Sequence, residues 1–328
     1  MDTIPDEILC YILRFLVDGV SIAVAARVSR RFVRACRDPR AIHELSLVGF
    51  AEEFPITFAA LTPQCFGLHT LRALATGEGD VRPWHSTDAS RAIAAMVAAT
   101  WNTKALRVLT LEGSSELTNA LLRVTPERWG KLEELRVYGE VAVAEEYKRL
   151  DSRTVCRAIC GLSHLHTLSL GAVYFADVAD LLRCLPGGLR KLTFTLTPRT
   201  TSAWIEADWP RRQGTACNLN ALTLRAPPKR GGDDIQRWKF GRWDDAALAV
   251  ANAFPGLKML ALQGTSVDWS TVARAAKAFP ELEAYDFTVG SADTDNPEPI
   301  STLSPCARSP PRSTIAYNTL RIVAEEPR

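Results

Sequence analysis

At 328 residues, with 39 basic side chains against 37 acidic ones, the chain has a formal net charge of +2, so no global field selects nucleic acid or a membrane surface as its partner. Its 47% hydrophobic content suits a soluble globular protein with room for one large repeat domain and a small one. No apolar run reaches the roughly 18 residues of a membrane span.

The first forty residues predict three short helices. Ile8, Leu9, Ile12, Leu13 and Leu16 recur at helical spacing over Ile4–Leu16, with Pro5 suited to a first turn and Asp6 and Glu7 to its positive end. Asp18-Gly19 is expected to stop this helix. A second is expected over Ile22–Val28 and a third over Arg30–Arg37, ended by Asp38-Pro39. A unit this small buries too little surface to stand alone and needs a neighbour or partner. Met1-Asp2-Thr3 carries an acid where a secretory signal has a basic start, so no such signal is expected.

Three segments carry a family resemblance: Ile4-Pro5-Asp6-Glu7-Ile8-Leu9, Ile12-Leu13-Arg14-Phe15-Leu16 and Val28-Ser29-Arg30-Arg31-Phe32. In type and spacing they resemble an F-box, with Phe32 where the family often has tryptophan. The resemblance implies a three-helix F-box over residues 1–44. It further implies docking on a Skp adaptor, and through it on a cullin scaffold. Ile4, Pro5, Ile8, Leu9, Ile12, Leu13, Val28 and Phe32 would supply the adaptor-binding surface. Read from periodicity alone, residues 4–16 are rather an amphipathic cap for a solenoid.

Beyond residue 44 a second pattern, L-x-x-L-x-L, takes over. Copies begin at Leu68, Leu106, Leu132, Leu165, Leu189, Leu219, Leu257 and Leu282, spaced 38, 26, 33, 24, 30, 38 and 25 residues apart. Ile42–Leu47 fits as a first strand. Alternation in the second half of each copy predicts a half-buried strand. Helical periods are expected over 89–99, over Phe175–Leu182 and from Asp244 to Phe254. Ala253-Phe254-Pro255-Gly256-Leu257 and Ala278-Phe279-Pro280-Glu281-Leu282 each end a helix and launch a strand, because proline disfavours helix in the residue before it. Helix, turn and strand in repetition predict an α/β fold. The expected form is an irregular leucine-rich-repeat horseshoe over residues 45–290.

The residues between the strand leucines line one face of the predicted sheet. Among them Glu134, Arg136, Tyr138 and Arg225 are candidate target contacts. Insertions at about 198–214 and 226–245 break the rhythm. The second carries Arg237, Trp238 and Trp243, the residue types favoured at binding hot spots; the alternatives are that the tryptophans pack onto the last helices, or that the interleaved basic and aromatic residues stack on single-stranded nucleic acid. Residues 291–313 read as a loop rich in Ser, Pro and Asp, and Ile315–Val323 as a possible final strand within the 291–328 tail.

Eight cysteines are scattered at Cys10, Cys36, Cys65, Cys156, Cys160, Cys184, Cys217 and Cys306, with no C-x-x-C. Buried, reduced thiols in a cytoplasmic or nuclear protein are expected, and no metal site. No catalytic motif or cofactor loop appears, so neither an enzyme nor a cofactor is expected. The resemblance to F-box proteins with leucine-rich repeats implies a substrate-recognition subunit of a Skp-cullin-F-box ubiquitin ligase. The alternative is a leucine-rich-repeat binding or inhibitory scaffold, or an adaptor decoy, without a ligase role.

Overall fold

The structure is a computed structural model. It describes residues 4–16, 19–49, 67–75, 105–113, 122, 130–139, 152–171, 181, 184–195, 219–225, 247–248, 251–252, 254, 256–267, 269–279, 282–289, 314–316 and 319–323. The chain is mixed α/β and divides into two units. One comprises Met1–Val173 with Cys184–Pro186, the other Tyr174–Arg183 with Gly187–Arg328.

The first unit opens with three helices: α1 (Asp6–Leu13), α2 (Gly19–Val28) and α3 (Arg30–Cys36). α1 is shorter than its apolar period suggests. Pro5 stands just outside it as the N-cap, its carbonyl accepting the amides of Ile8 and Leu9 at 3.1 Å. α1 ends at Leu13, ahead of the stop expected at Asp18-Gly19, and α2 begins at Gly19, three residues before the expected Ile22. A poor helix former is tolerated there, where amides have no intrahelical partner to lose. Ser29 caps α3, its hydroxyl accepting from the Phe32 amide at 3.3 Å. Replacing such a cap by alanine costs about 1 kcal/mol. Asp38 closes the helical unit with a tight turn, its carboxylate accepting from the Arg40 amide at 2.9 Å and from its guanidinium at 3.0 and 2.8 Å. Those bonds hold the Asp38 carboxyl at about 2.

Five parallel strands follow: β1 (Glu44–Gly49), β2 (Thr70–Ala75), β3 (Val108–Gly113), β4 (Glu134–Gly139) and β5 (Thr167–Gly171), with α4 (Ser152–Cys160) before the last. Every strand begins two residues after its leading apolar residue. Leu45, Leu71, Leu109, Leu135 and Leu168 pair across successive strands and are all buried. The leading residues Ile42, Leu68, Leu106, Leu132 and Leu165 form a second buried row. Alternation along each strand and registration across strands thus produce one continuous leucine core.

The second unit repeats this with β6 (Lys191–Thr195), β7 (Ala221–Arg225), β8 (Met259–Val267) and β9 (Ala284–Val289), again parallel, and α5 (Trp269–Ala278) between the last two. Leu192, Leu222 and Leu260 are paired and buried, as are Phe194, Leu224 and Leu262. The residues flanking the two proline junctions share one kind of hydrogen bond. The Leu257 amide donates to the Phe254 carbonyl and the Leu282 amide to that of Phe279, both at 3.2 Å, with both phenylalanines buried. The tail supplies β10 (Thr314–Ala316) and β11 (Thr319–Val323), and β11 runs antiparallel to β9. The expected helix at 89–99, both insertions and the 291–313 loop lie outside the described residues, as does all of 175–182 except buried Leu181.

One polar column was not expected. The residue after each leading apolar position offers its carbonyl to two consecutive amides of the next strand. His43 accepts from His69 and Thr70, His69 from Arg107 and Val108, Arg107 from Glu133 and Glu134, and Glu133 from His166 and Thr167. Asn220 and Lys258 do the same in the second unit. The side chains of the column interact as well. His43 and His69 stack with centroids 5.1 Å apart and planes inclined by 12°, Arg107 forms an ion pair with Glu133, and Lys258 pairs with Glu283 at 2.7 Å.

Burial, then His43 and Arg107, lower the pKa of His69 below its ordinary value. The folded chain therefore favours the neutral ring. The stability this gives is present above the ordinary histidine range and is lost as the pH falls through the lowered value. Denaturation midpoints should drop between about pH 8 and about pH 5, and His69→Gln should show a smaller drop. Urea melts of both proteins at the two pH values check this.

Candidate docking surface

Helix α1 has two apolar faces. At about 100° per residue, Leu9, Cys10 and Leu13 fall on one side, and Ile4, Ile8, Tyr11, Ile12 and Phe15 on a stripe nearly opposite. The structure turns the first set inward. Leu9 is 5% exposed and Leu13 0%, and the Cys10 thiol donates to the Ala35 carbonyl of α3 at 3.9 Å. The second set faces out: Ile8 is 50% exposed and Phe15 69%. Tyr11 and Phe15 meet edge to face, with ring centroids 5.3 Å apart. On α2, Val24 and Val28 lie one turn apart and are also exposed. Of the large hydrophobic side chains exposed among the described residues, all except Met259 belong to these helices or to the segments flanking α1. Burying such a side chain is worth about 1.5–3 kcal/mol, so an outward stripe of them is costly unless something covers it.

Arg31 fixes the start of the stripe. From α3 it reaches back to α1, where its Nε pairs with the Asp6 carboxylate at 2.7 Å and its Nη2 donates to the Ile4 carbonyl. The exposed ion pair contributes little by itself. Its role is geometric, because it ties the chain at Ile4–Asp6 to the third helix.

The residues expected to bind an adaptor therefore divide. Ile4, Pro5, Ile8, Ile12 and Val28 are exposed and Phe32 is half-buried. Leu9 and Leu13 are buried, packing into the helical unit itself. Tyr11, Phe15 and Val24 are exposed as well, although the sequence did not single them out. An aromatic pair at i and i+4 was the signal that could have found the first two.

The candidate target contacts are also separated. Glu134, Arg136 and Tyr138 share one face of β4, where Arg136 Nε pairs with Glu134 at 2.5 Å. The Tyr138 hydroxyl accepts from Ser169 Oγ at 3.2 Å. A β-carbon added at Gly171 would come within 2.6 Å of Tyr138 Cδ1, so the glycine makes room for the ring. Thr110 and Ser169, expected on the same face, are buried. Arg225 lies in the second unit, where its Nε donates to Gln263 at 3.2 Å and Gln263 donates to Asp286 at 3.2 Å. Arg237, Trp238 and Trp243 lie outside the described residues. Among the described residues no three His, Cys, Asp or Glu side chains are grouped to hold a metal ion, and no helix is long and apolar enough to cross a membrane.

Against protein families, the chain matches the F-box-like model over residues 1–47. Residues 1–47 are an F-box-like domain. The match spans α1 to α3 and extends into β1, so the outward apolar stripe belongs to the F-box-like domain. No curated protein matches the chain. Among the solved structures that resemble it are two weak likenesses. A protein of Bacteroides fragilis is 12% identical, covering 77% of this chain and 75% of that one, with a TM-score of 0.34. A chain of the Rad7 and Elc1 complex in yeast is 11% identical, covering 90% and 87%, with a TM-score of 0.31. Likenesses of this size carry no argument about fold or function.

Proposed function

We propose that the chain is a substrate-recognition subunit of a Skp-cullin-F-box ubiquitin ligase. The F-box-like domain docks on a Skp adaptor, and a leucine-rich-repeat solenoid built on the parallel strands holds a target protein. The observation that carries this reading is the outward stripe of Ile4, Ile8, Tyr11, Ile12 and Phe15 within the F-box-like domain. An adaptor offering an apolar groove would cover it, as amphipathic helices are covered in other grooves. In this reading the chain is a scaffold, not a catalyst. It brings a target to other subunits, and no side chain need change protonation or form a bond. The polar sheet faces, with Arg136 and Tyr138 in one unit and Arg225 in the other, offer the residue types that anchor protein partners.

The test is capture of a purified Skp adaptor by the full chain. Ile8→Asp and Val28→Asp each place a carboxylate in an apolar contact, where an unpaired charge is strongly unfavourable. Both are expected to reduce capture at least tenfold while leaving circular dichroism and melting unchanged, because both side chains are exposed in the free protein. Leu9→Asp is expected to unfold the helical unit instead. Capture that is unaffected in both surface variants, or absent from the folded wild type, would sink the ligase reading.

A further inference from the structure

We infer that Cys160 and Cys184 are a redox-modifiable pair that closes to an intramolecular disulfide when an oxidant of the peroxide class is supplied. Cys160 is the last residue of α4 and is exposed, whereas Cys10, Cys36 and Cys156 are buried. Its Sγ lies 3.8 Å from the carbonyl oxygen of Cys184, itself only partly covered. Two cysteines 24 residues apart are thus held side by side. A disulfide requires α-carbons about 4.4–6.8 Å apart, and the contact already sets the Cys160 thiol against the backbone of Cys184. Both residues belong to the first unit, although the chain on either side of Cys184–Pro186 belongs to the second.

The contact also bears on the Cys160 thiol. Partial desolvation, then the neighbouring Cys184, hold it above its ordinary value. The pair therefore remains a dithiol at neutral pH and reacts slowly, and oxidation accelerates as the pH rises toward the thiol range. In the reaction one thiolate attacks a peroxide oxygen, giving a sulfenic acid and one water. The second thiol then attacks that sulfur, forming the S–S bond and releasing a second water. Two electrons pass from the sulfurs to the peroxide, and the two thiol protons leave in the waters. The product fastens the end of α4 to Cys184–Pro186 through a closed loop of chain, which lowers the entropy of the unfolded state.

The experiment treats the native full chain with hydrogen peroxide, blocks the remaining thiols with iodoacetamide and digests it with trypsin without reduction. Cleavage after Arg153, Arg157, Arg183 and Arg190 places Cys156, Cys160 and Cys184 on three separate peptides, 154–157, 158–183 and 184–190. The expected product is 158–183 joined to 184–190 with the loss of two hydrogens. It should form faster at about pH 9 than at about pH 7, be abolished by dithiothreitol, and be absent from Cys160→Ser and Cys184→Ser. Oxidised wild type should melt several degrees above the reduced protein, a difference missing from both variants. Alkylation of both cysteines after peroxide treatment would overturn the proposal. So would a bond from Cys160 to any other cysteine, or a linked product that melts below the reduced protein.

Discussion

Leu168→Ala is expected to destabilise the first unit by about 2–5 kcal/mol, a large share of a typical domain's roughly 5–15 kcal/mol. Leu168 is fully buried and faces Leu135 in the neighbouring strand, so truncation leaves a cavity that a parallel stack cannot easily close. Its neighbour Thr167 points to the other side of the sheet and is only partly covered. Thr167→Ala should therefore stay within about 0.5 kcal/mol of wild type. Urea denaturation followed by circular dichroism compares the two. In a repeat stack each strand leans on its neighbours, so the leucine variant should also show a broader transition. If both variants unfold at the same midpoint, the strand register is wrong.

Gly67→Ala should be as damaging for a different reason. A β-carbon at Gly67 would lie 1.8 Å from the Pro39 carbonyl oxygen and 2.6 and 2.9 Å from its carbonyl carbon and Cα. All three are backbone atoms, so no side chain can swing aside. The turn after α3 must move instead, and with it the start of β1. Overpacking against atoms that can yield typically costs about 1–3 kcal/mol, and here the upper end is the floor. Gly256→Ala is the control, because its added methyl group meets nothing within 4 Å and should leave the melting temperature unchanged or slightly raised. Differential scanning calorimetry of the two variants separates them. Equal melting temperatures would mean that the Pro39 turn does not press on Gly67.

Much of this was legible in the sequence, where local periodicity and long-range registration agree. A strand whose leucines alternate has one face to bury, and eight copies of one alternation bury it against each other. The sequence could not show which apolar side of α1 faces inward. Ile8 and Leu9 are adjacent, both apolar and both good helix residues. The choice depends on where α3 lies, and Cys10 against Ala35 sets it across 25 residues. The polar column escaped for a similar reason. His43 and His69, or Arg107 and Glu133, are unremarkable in their own segments and meet only when repeats of unequal length are laid side by side. Reading the copies as columns instead of rows would have exposed them. The cysteines were expected to be uniformly buried. Cys160 departs from this because it ends its helix, where the last turn has a side open to solvent.

The doubly accepting carbonyls of His43, His69, Arg107 and Glu133 bear on how such a chain can evolve. Each fixes the next strand at its first residues, before any of the connecting segment that follows has been specified. Connectors as different as those that space the copies by 26 and by 38 residues can then deliver their strands to equivalent positions. Growth or loss in a connector remains a local event, felt within one repeat and erased at the next fastening point. Connecting segments are free to diverge in length and chemistry while the sheet keeps its alignment.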